Sequence, residues 1–163
     1  TIEMAQWFIN NGIIINAVNY RGNNALVDIT SLEIAKYLYA QGIDINHLNG
    51  DNGNLLHNVR HAEIAQWLIN LGLDVHQIDD DGDPPLFNNP CLNVIKVLIN
   101  NGADINYKNE DEETLLFAHL NHDYKILEFL FDNKYVTIND AKVRDFRYVR
   151  KDKNLEILIL PVH

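Results

Sequence analysis

A chain of 163 residues and 18.8 kDa, 47% hydrophobic and 22% charged, can bury a core without disulfides or metals, and its composition excludes wholesale disorder and collagen-like architecture. Its apolar runs, such as Ile157-Leu158-Ile159-Leu160, fall far short of the roughly 20 residues that a membrane-spanning helix needs. Thirteen Lys and Arg against 23 Asp and Glu leave a formal charge of -10, which argues against nucleic acid or an anionic membrane as partner and favours a neutral or basic protein surface.

The chain opens Thr1-Ile2-Glu3 rather than on methionine, so a processed or trimmed product is expected. The first predicted element is a helix over Met4-Ala5-Gln6-Trp7-Phe8-Ile9, ended by Gly12, which can take the left-handed conformation of a helix C-cap. Ile13-Ile14-Ile15-Asn16 follows, then a turn tip around Asn19 with Ala17, Val18, Tyr20 and Arg21, then Asn24-Ala25-Leu26-Val27. Thr30-x-x-Glu33 has the form of a capping box and predicts the start of the next helix, Ile34-Ala35-Lys36-Tyr37-Leu38-Tyr39.

From Gly42 the same order of elements returns: Ile43-Asp44-Ile45-Asn46, a tip of His47, Leu48, Gly50 and Asp51 around Asn49, then Asn54-Leu55-Leu56-His57 and the helix Ile64-Ala65-Gln66-Trp67-Leu68-Ile69. A third cycle runs from Gly72 through Leu73-Asp74-Val75-His76, a tip of Gln77, Ile78, Asp80 and Asp81 around Asp79, Pro84-Pro85-Leu86-Phe87, and a helix over Val94 to Ile99 with Pro90 at its start. A fourth runs from Gly102 through Ala103-Asp104-Ile105-Asn106, a tip of Tyr107, Lys108, Glu110 and Asp111 around Asn109, and Thr114-Leu115-Leu116-Phe117, with Asn121 at the next helix start.

The glycines at 12, 42, 72 and 102 are spaced by 30, and each helix repeats apolar residues at i, i+3 and i+4, as in Ile64, Trp67 and Leu68, which makes one face of an amphipathic helix. The following helix, Ile126 to Phe131, leads to Lys134 where the spacing predicts position 132, so this unit carries two extra residues and loses its glycine. The tail, with Arg144, Arg147, Arg150, Lys151 and Lys153, is locally basic and predicts one more helix over Leu155 to Leu160, stopped by Pro161, with a strand or an unstructured tail as the alternative. An exposed apolar strip there would be free to pair with another copy, and oligomeric state stays open.

Taken together these elements resemble the ankyrin repeat: Gly102-Ala103-Asp104-Ile105-Asn106 is similar to its Gly-Ala-Asp-Val-Asn stretch, and Asp81-Gly82-x-Pro84-Pro85-Leu86 to its Asp-x-x-Gly-x-Thr-Pro-Leu stretch. The resemblance implies an all-α solenoid of helix-turn-helix units with protruding turn tips, in one domain over 1–163. Its parts are a half repeat at 1–12, repeats at 13–42, 43–72, 73–102 and 103–134, and a degenerate capping repeat at 135–163. The family period is about 33 residues. Here about three are missing before the second helix, so the first helix of each unit is expected to be one short turn or so, with 3₁₀ geometry open to it.

Catalytic chemistry finds little support. Ser31 and Cys91 lie at helix starts, where the expected roles are capping and packing, and no catalytic residue, metal or cofactor is expected. His57 and His61 have the i, i+4 spacing of metal ligands, but the register places His57 in the tetrad column, where the resemblance implies a structural hydrogen-bonding role, and His61 beyond the short turn. His119 and His122 are expected to be solvated. Asp79-Asp80-Asp81-Gly82-Asp83 fails as a calcium loop, because aligning Gly82 on the sixth position puts Gln77 first and Asn88 twelfth.

The resemblance implies instead that the concave face and turn tips bind another protein. The residues that break the repeat there are Val18, Tyr20, Arg21, His47, Leu48, Asp51, Gln77, Ile78, Asp80, Asp81, Tyr107, Lys108, Glu110 and Asp111. Tyr20 and Tyr107 are aromatic anchors of the kind that hot spots favour, and the acidic tips fit an inhibitor or immunity-type protein for a basic partner, or a solvated charge run. The alternative is a structural segment of a larger ankyrin array or multidomain protein. The single cysteine, Cys91, allows no internal disulfide and favours the cytoplasm, with export left open.

Overall fold

The computed structural model describes residues 1–119, 124–135, 147–151 and 154–158. It divides into two compact units, Thr1–Asp104 and Ile105–His163. In the first unit, α1 (Ile2–Asn10), α2 (Leu32–Ala40), α3 (Ala62–Asn70) and α5 (Leu92–Asn100) each have nine residues, and α1 packs on α2, α2 on α3 and α3 on α5. Each of the three later helices is preceded by one short turn: 3₁₀ at Ala25–Val27 and Leu55–His57, and α4 (Pro85–Asn88) in the third cycle. The second unit repeats this order with α6 (Leu115–Ala118) and α7 (Tyr124–Asp132).

The core follows the 30-residue columns. Leu26, Leu56, Leu86 and Leu116, third in their tetrads, are all 0% exposed, and Ala65, Leu68, Ile95 and Leu98 are equally closed off in the helices. In the second unit Ile126, Leu127 and Leu130 are buried at positions that match Val94, Ile95 and Leu98 once two residues are added to the period. Burying side chains of this size contributes roughly 1.5–3 kcal/mol each, so the leucine column is a main source of stability.

Helix ends use the expected chemistry with one shift. The starting cap of α2 is Ser31, whose hydroxyl accepts from the Ile34 amide at 3.4 Å, so the capping box expected at Thr30 is replaced by a cap one residue later. At the other end Gly42 donates to Tyr39 and Ile43 to Leu38, and the same pair of bonds recurs at Gly12, Gly72 and Gly102. In the second unit Lys134 donates to Phe131 and Tyr135 to Leu130, with Lys134 at φ 57°. The helix therefore ends in the same left-handed turn although its glycine is gone.

Buried polar groups tie neighbouring repeats. Asn24 accepts from the Leu26 amide and donates to the Asp44 carbonyl at 2.7 Å, and Asn54 does the same with Leu56 and Asp74. Asn89, fully buried, donates to the carbonyls of Leu56 and Val59 and accepts from the Cys91 amide.

Two expectations are corrected. His119, expected in solvent, is 0% exposed, because it stands in the column of Val59 and Asn89 and the two extra residues enter only after it; His122 lies outside the described residues. The helix expected over Leu155 to Leu160 is instead a strand. Asn154–Leu158 (β2) pairs antiparallel with Arg147–Lys151 (β1), Tyr148 opposite Ile157 and Lys151 opposite Asn154, while the stop expected at Pro161 lies outside the described residues. Two short segments containing the strand-favouring Tyr148, Val149 and Ile157 satisfy each other's backbone in antiparallel register.

Candidate protein-binding site

The turn tips are built by one residue column. Asn19 Oδ1 accepts from the amides of Arg21 and Asn23, Asn49 Oδ1 from Asp51 and Gly53, Asp79 Oδ1 from Asp81 and Asp83, and Asn109 Oδ1 from Asp111 and Glu113, all at 2.8–3.1 Å. A short amide or carboxylate side chain is the group that reaches its own backbone two residues on, which is why the column reads Asn, Asn, Asp, Asn. The backbone closes the same turn four times, as Gly22 donates to Asn19, Asn52 to Asn49, Gly82 to Asp79 and Glu112 to Asn109. All four donors are left-handed, at φ 75°, 58°, 75° and 62°. That second column was not read from the sequence; the recurrence of Gly22 and Gly82 sixty residues apart was its signal.

In the first unit the tips are joined to each other. The Gly50 amide donates to the Arg21 carbonyl at 3.0 Å and the Asp80 amide to the Asp51 carbonyl at 2.9 Å. Side chains reinforce the joins: Asn52 Nδ2 donates to Asp80 Oδ1 at 2.7 Å, and His47 Nε2 lies 2.6 Å from the Gly22 carbonyl. The approach at the first join is close enough that a Cβ on Gly22 would run into the Gly50 amide nitrogen.

Around this frame the variable residues sort by exposure. Tyr20 is 90% exposed, with the Arg21 guanidinium 5.4 Å from its ring centre. Val18, Leu48 and Ile78, one per repeat in a single column, are exposed apolar side chains, and Arg21, Asp51, Asp80 and Asp81 are exposed beside them. His47 and Gln77 are half-buried; His47 spans to the preceding tip and Gln77 donates to the Ile78 carbonyl. In the second unit Lys108, Glu110 and Asp111 are exposed, Lys108 pairs with Glu112 at 3.2 Å, and Tyr107 is half-buried.

The residues weighed for catalysis or metal binding hold separate local positions: Ser31 caps α2, Cys91 is the half-buried residue at the N-cap of α5, and His57 and His61 lie on different elements, a 3₁₀ turn and the cap of α3. His57 Nε2 is 3.1 Å from the Asp83 carbonyl and Nδ1 3.2 Å from both oxygens of Asn54, and burial pulls its pKa below the ordinary value against the opposing pull of the Asp83 carbonyl. Among the described residues no group of three or more His, Cys, Asp or Glu is disposed to hold a metal, and no helix is long and apolar enough to cross a membrane. A shallow groove of about 480 Å³ lies on the second-helix side between Leu32, Lys36, Glu63, Gln66, Trp67 and Val97.

Residues 30–69 and 87–131, together just over half of the chain, match the family model described as ankyrin repeats in many copies. The chain belongs to the ankyrin-repeat family. No curated protein matches it. Ankyrin repeats are generally protein–protein interaction modules and typically non-catalytic, and this chain carries their short first turn, second helix and tip in each cycle of its first unit.

Proposed function

We propose that this ankyrin-repeat protein binds a protein partner through its turn tips and the inner face beside them, and that the acidic tips select a basic partner, in the manner of an acidic inhibitor. The observation that carries the reading is the division of labour at the tips. The Asn19, Asn49, Asp79 and Asn109 column is consumed by the turns, while Tyr20, Arg21, Asp80, Asp81, Glu110 and Asp111 are left facing solvent. A frame ordered by backbone bonds loses little conformational entropy on binding, and charges on its rim act on association rate and partner choice.

The test replaces Asp80, Asp81, Glu110 and Asp111 with Asn or Gln and compares partner capture from the source cell with that of the native chain. Loss of a basic partner, with competition by lysine-rich peptides and weakening by salt, is the expected result. An unchanged set of partners, or association insensitive to salt, overturns the acidic selection.

A second reading, a segment of a longer repeat array, is favoured by α1. Met4, Trp7 and Phe8 are exposed, whereas their column-mates Ile64 and Leu68 in α3 are buried by the helices stacked on them. A further repeat stacked on α1 would cover that face, and a fused extra repeat that raises the melting temperature would support it.

A further inference from the structure

We infer that the occupant of the first unit's tips is an amphipathic α-helix of a partner protein, with apolar residues at i, i+7 and i+14, an acidic residue at one end and lysines or arginines at the other; this rests on the protein-binding reading above. Val18, Leu48 and Ile78 form a single row, one per repeat, at 49%, 39% and 45% exposure. The row is ordered, because the tips that carry it are joined by the Gly50 to Arg21 and Asp80 to Asp51 backbone bonds.

Spacing chooses the shape of the occupant. The repeats advance by one stacked helix each, so the row steps by roughly 8–10 Å. Seven residues of an α-helix rise about 10.5 Å and return to nearly the same face after two turns. In an extended segment three residues cover about 10 Å, but the first and fourth side chains point to opposite faces. A helix meets all three apolar side chains with one face; a strand does not.

Charge chooses the ends. The first tip, residues 17–23, carries only Arg21; the second, 47–53, only Asp51; the third, 77–83, carries Asp79, Asp80, Asp81 and Asp83. The formal charge thus runs from one positive through one negative to four negatives along the row. A helix with an acidic end over Arg21 and a basic end over Asp80 and Asp81 matches that gradient, and the reverse placement sets like charges together.

The probe is a synthetic 20-residue helical peptide with leucines at i, i+7 and i+14, one glutamate-rich end and one lysine-rich end. It is compared by fluorescence anisotropy with a peptide of equal composition and leucines at i, i+5 and i+10. The expected result is binding of the first at least about tenfold tighter, lost by about the same factor in a variant with Val18, Leu48 and Ile78 all changed to Ser. Arg21→Glu, which leaves the Arg21 carbonyl bond to Gly50 in place, serves as a second variant that tests charge alone and is expected to weaken binding several-fold. Equal binding of the two peptides, or binding unmoved by the triple variant with its melting temperature intact, overturns the inference. If the spaced peptide fails while a binder selected from an unbiased peptide library is lost on neutralising the acidic tips, the helix is overturned and the protein-binding reading stands.

Discussion

Helices α1 and α3 are nearly the same peptide in two environments. Glu3, Ala5, Gln6, Trp7, Ile9 and Asn10 of α1 reappear as Glu63, Ala65, Gln66, Trp67, Ile69 and Asn70 in α3, sixty residues on. Yet α3 packs between α2 and α5 and buries Ile64, Ala65 and Leu68, while α1 packs on α2 and buries none of its residues. Trp7 is 60% exposed, with its ring set edge-to-face 5.2 Å from that of its chain neighbour Phe8, whereas Trp67 is half-buried with its ring 5.7 Å from Tyr39 of α2. The difference teaches that in a repeat array the hydrophobic pattern of a helix specifies the face, and the number of stacked neighbours decides how much that face contributes.

The strongest way to break this comparison is to truncate matched positions. Leu68→Ala removes a fully buried side chain and is expected to cost about 2–5 kcal/mol, while Phe8→Ala, in the same column of α1, is expected to cost under about 1 kcal/mol. Urea unfolding of both variants measures the contrast, and equal losses would mean that α1 is covered in solution.

The interior side of the comparison is sharpened by His57, in the short turn that leads to α3. Burial holds its ring neutral below the ordinary value of 6.5, so the unfolded chain takes the proton first. Its contribution is therefore present above pH 6.5 and is lost as pH falls below that value toward the lower folded pKa. Thermal melts between pH 7.5 and 5.5 should show the loss, and His57→Gln should flatten it while costing about 1–3 kcal/mol at neutral pH through its abandoned carbonyl partners. An equally steep decline in the variant would assign the effect to other groups.

The smallest effect compares helix ends. α3 closes on Gly72 at φ 101° and α7 on Lys134 at φ 57°. Lys134→Gly relieves a left-handed side-chain residue and is expected to gain from a few tenths to about 1 kcal/mol, whereas Gly72→Ala should lose a comparable amount. No gain in the lysine variant would mean that its helix end is not held in that conformation in solution.

Much of this was legible in the amino-acid sequence because a stacked repeat writes each structural position several times. Four glycines at a spacing of 30 give the helix ends, Leu26 with its three column-mates the core, and the shortened interval before each helix the single turn. The register even carried the information on His119, since Val59 and Asn89 in its column are both buried; reading it beside the insertion hid that. Ser31 displaced Thr30 as a cap because two hydroxyls stand side by side and only the backbone path chooses between them. The C-terminal strand was ranked second to a helix where repetition stops, because there a short apolar run reads as either. At the candidate site the exposed columns were legible as breaks in the repeat, but the recurring bonds joining one tip to the next, Gly50 to Arg21 and Asp80 to Asp51, are made by backbone atoms that every sequence possesses.

Those joins have a consequence for how such a surface can diverge. Because Gly50 to Arg21 and Asp80 to Asp51 are main-chain contacts, most tip side chains can be exchanged without altering the stiffness of the edge that displays them. Affinity and mechanical order are inherited through different atoms, so a new binding specificity need not be accompanied by compensating changes in the scaffold. Gly22 marks the boundary of that freedom: any side chain there would press on the next tip and pull the two apart. An engineered library on this edge should therefore vary positions 18, 20, 21, 48, 51, 78 and 81, and leave alone Gly22 and the Asp80 side chain that Asn52 bonds across the second join.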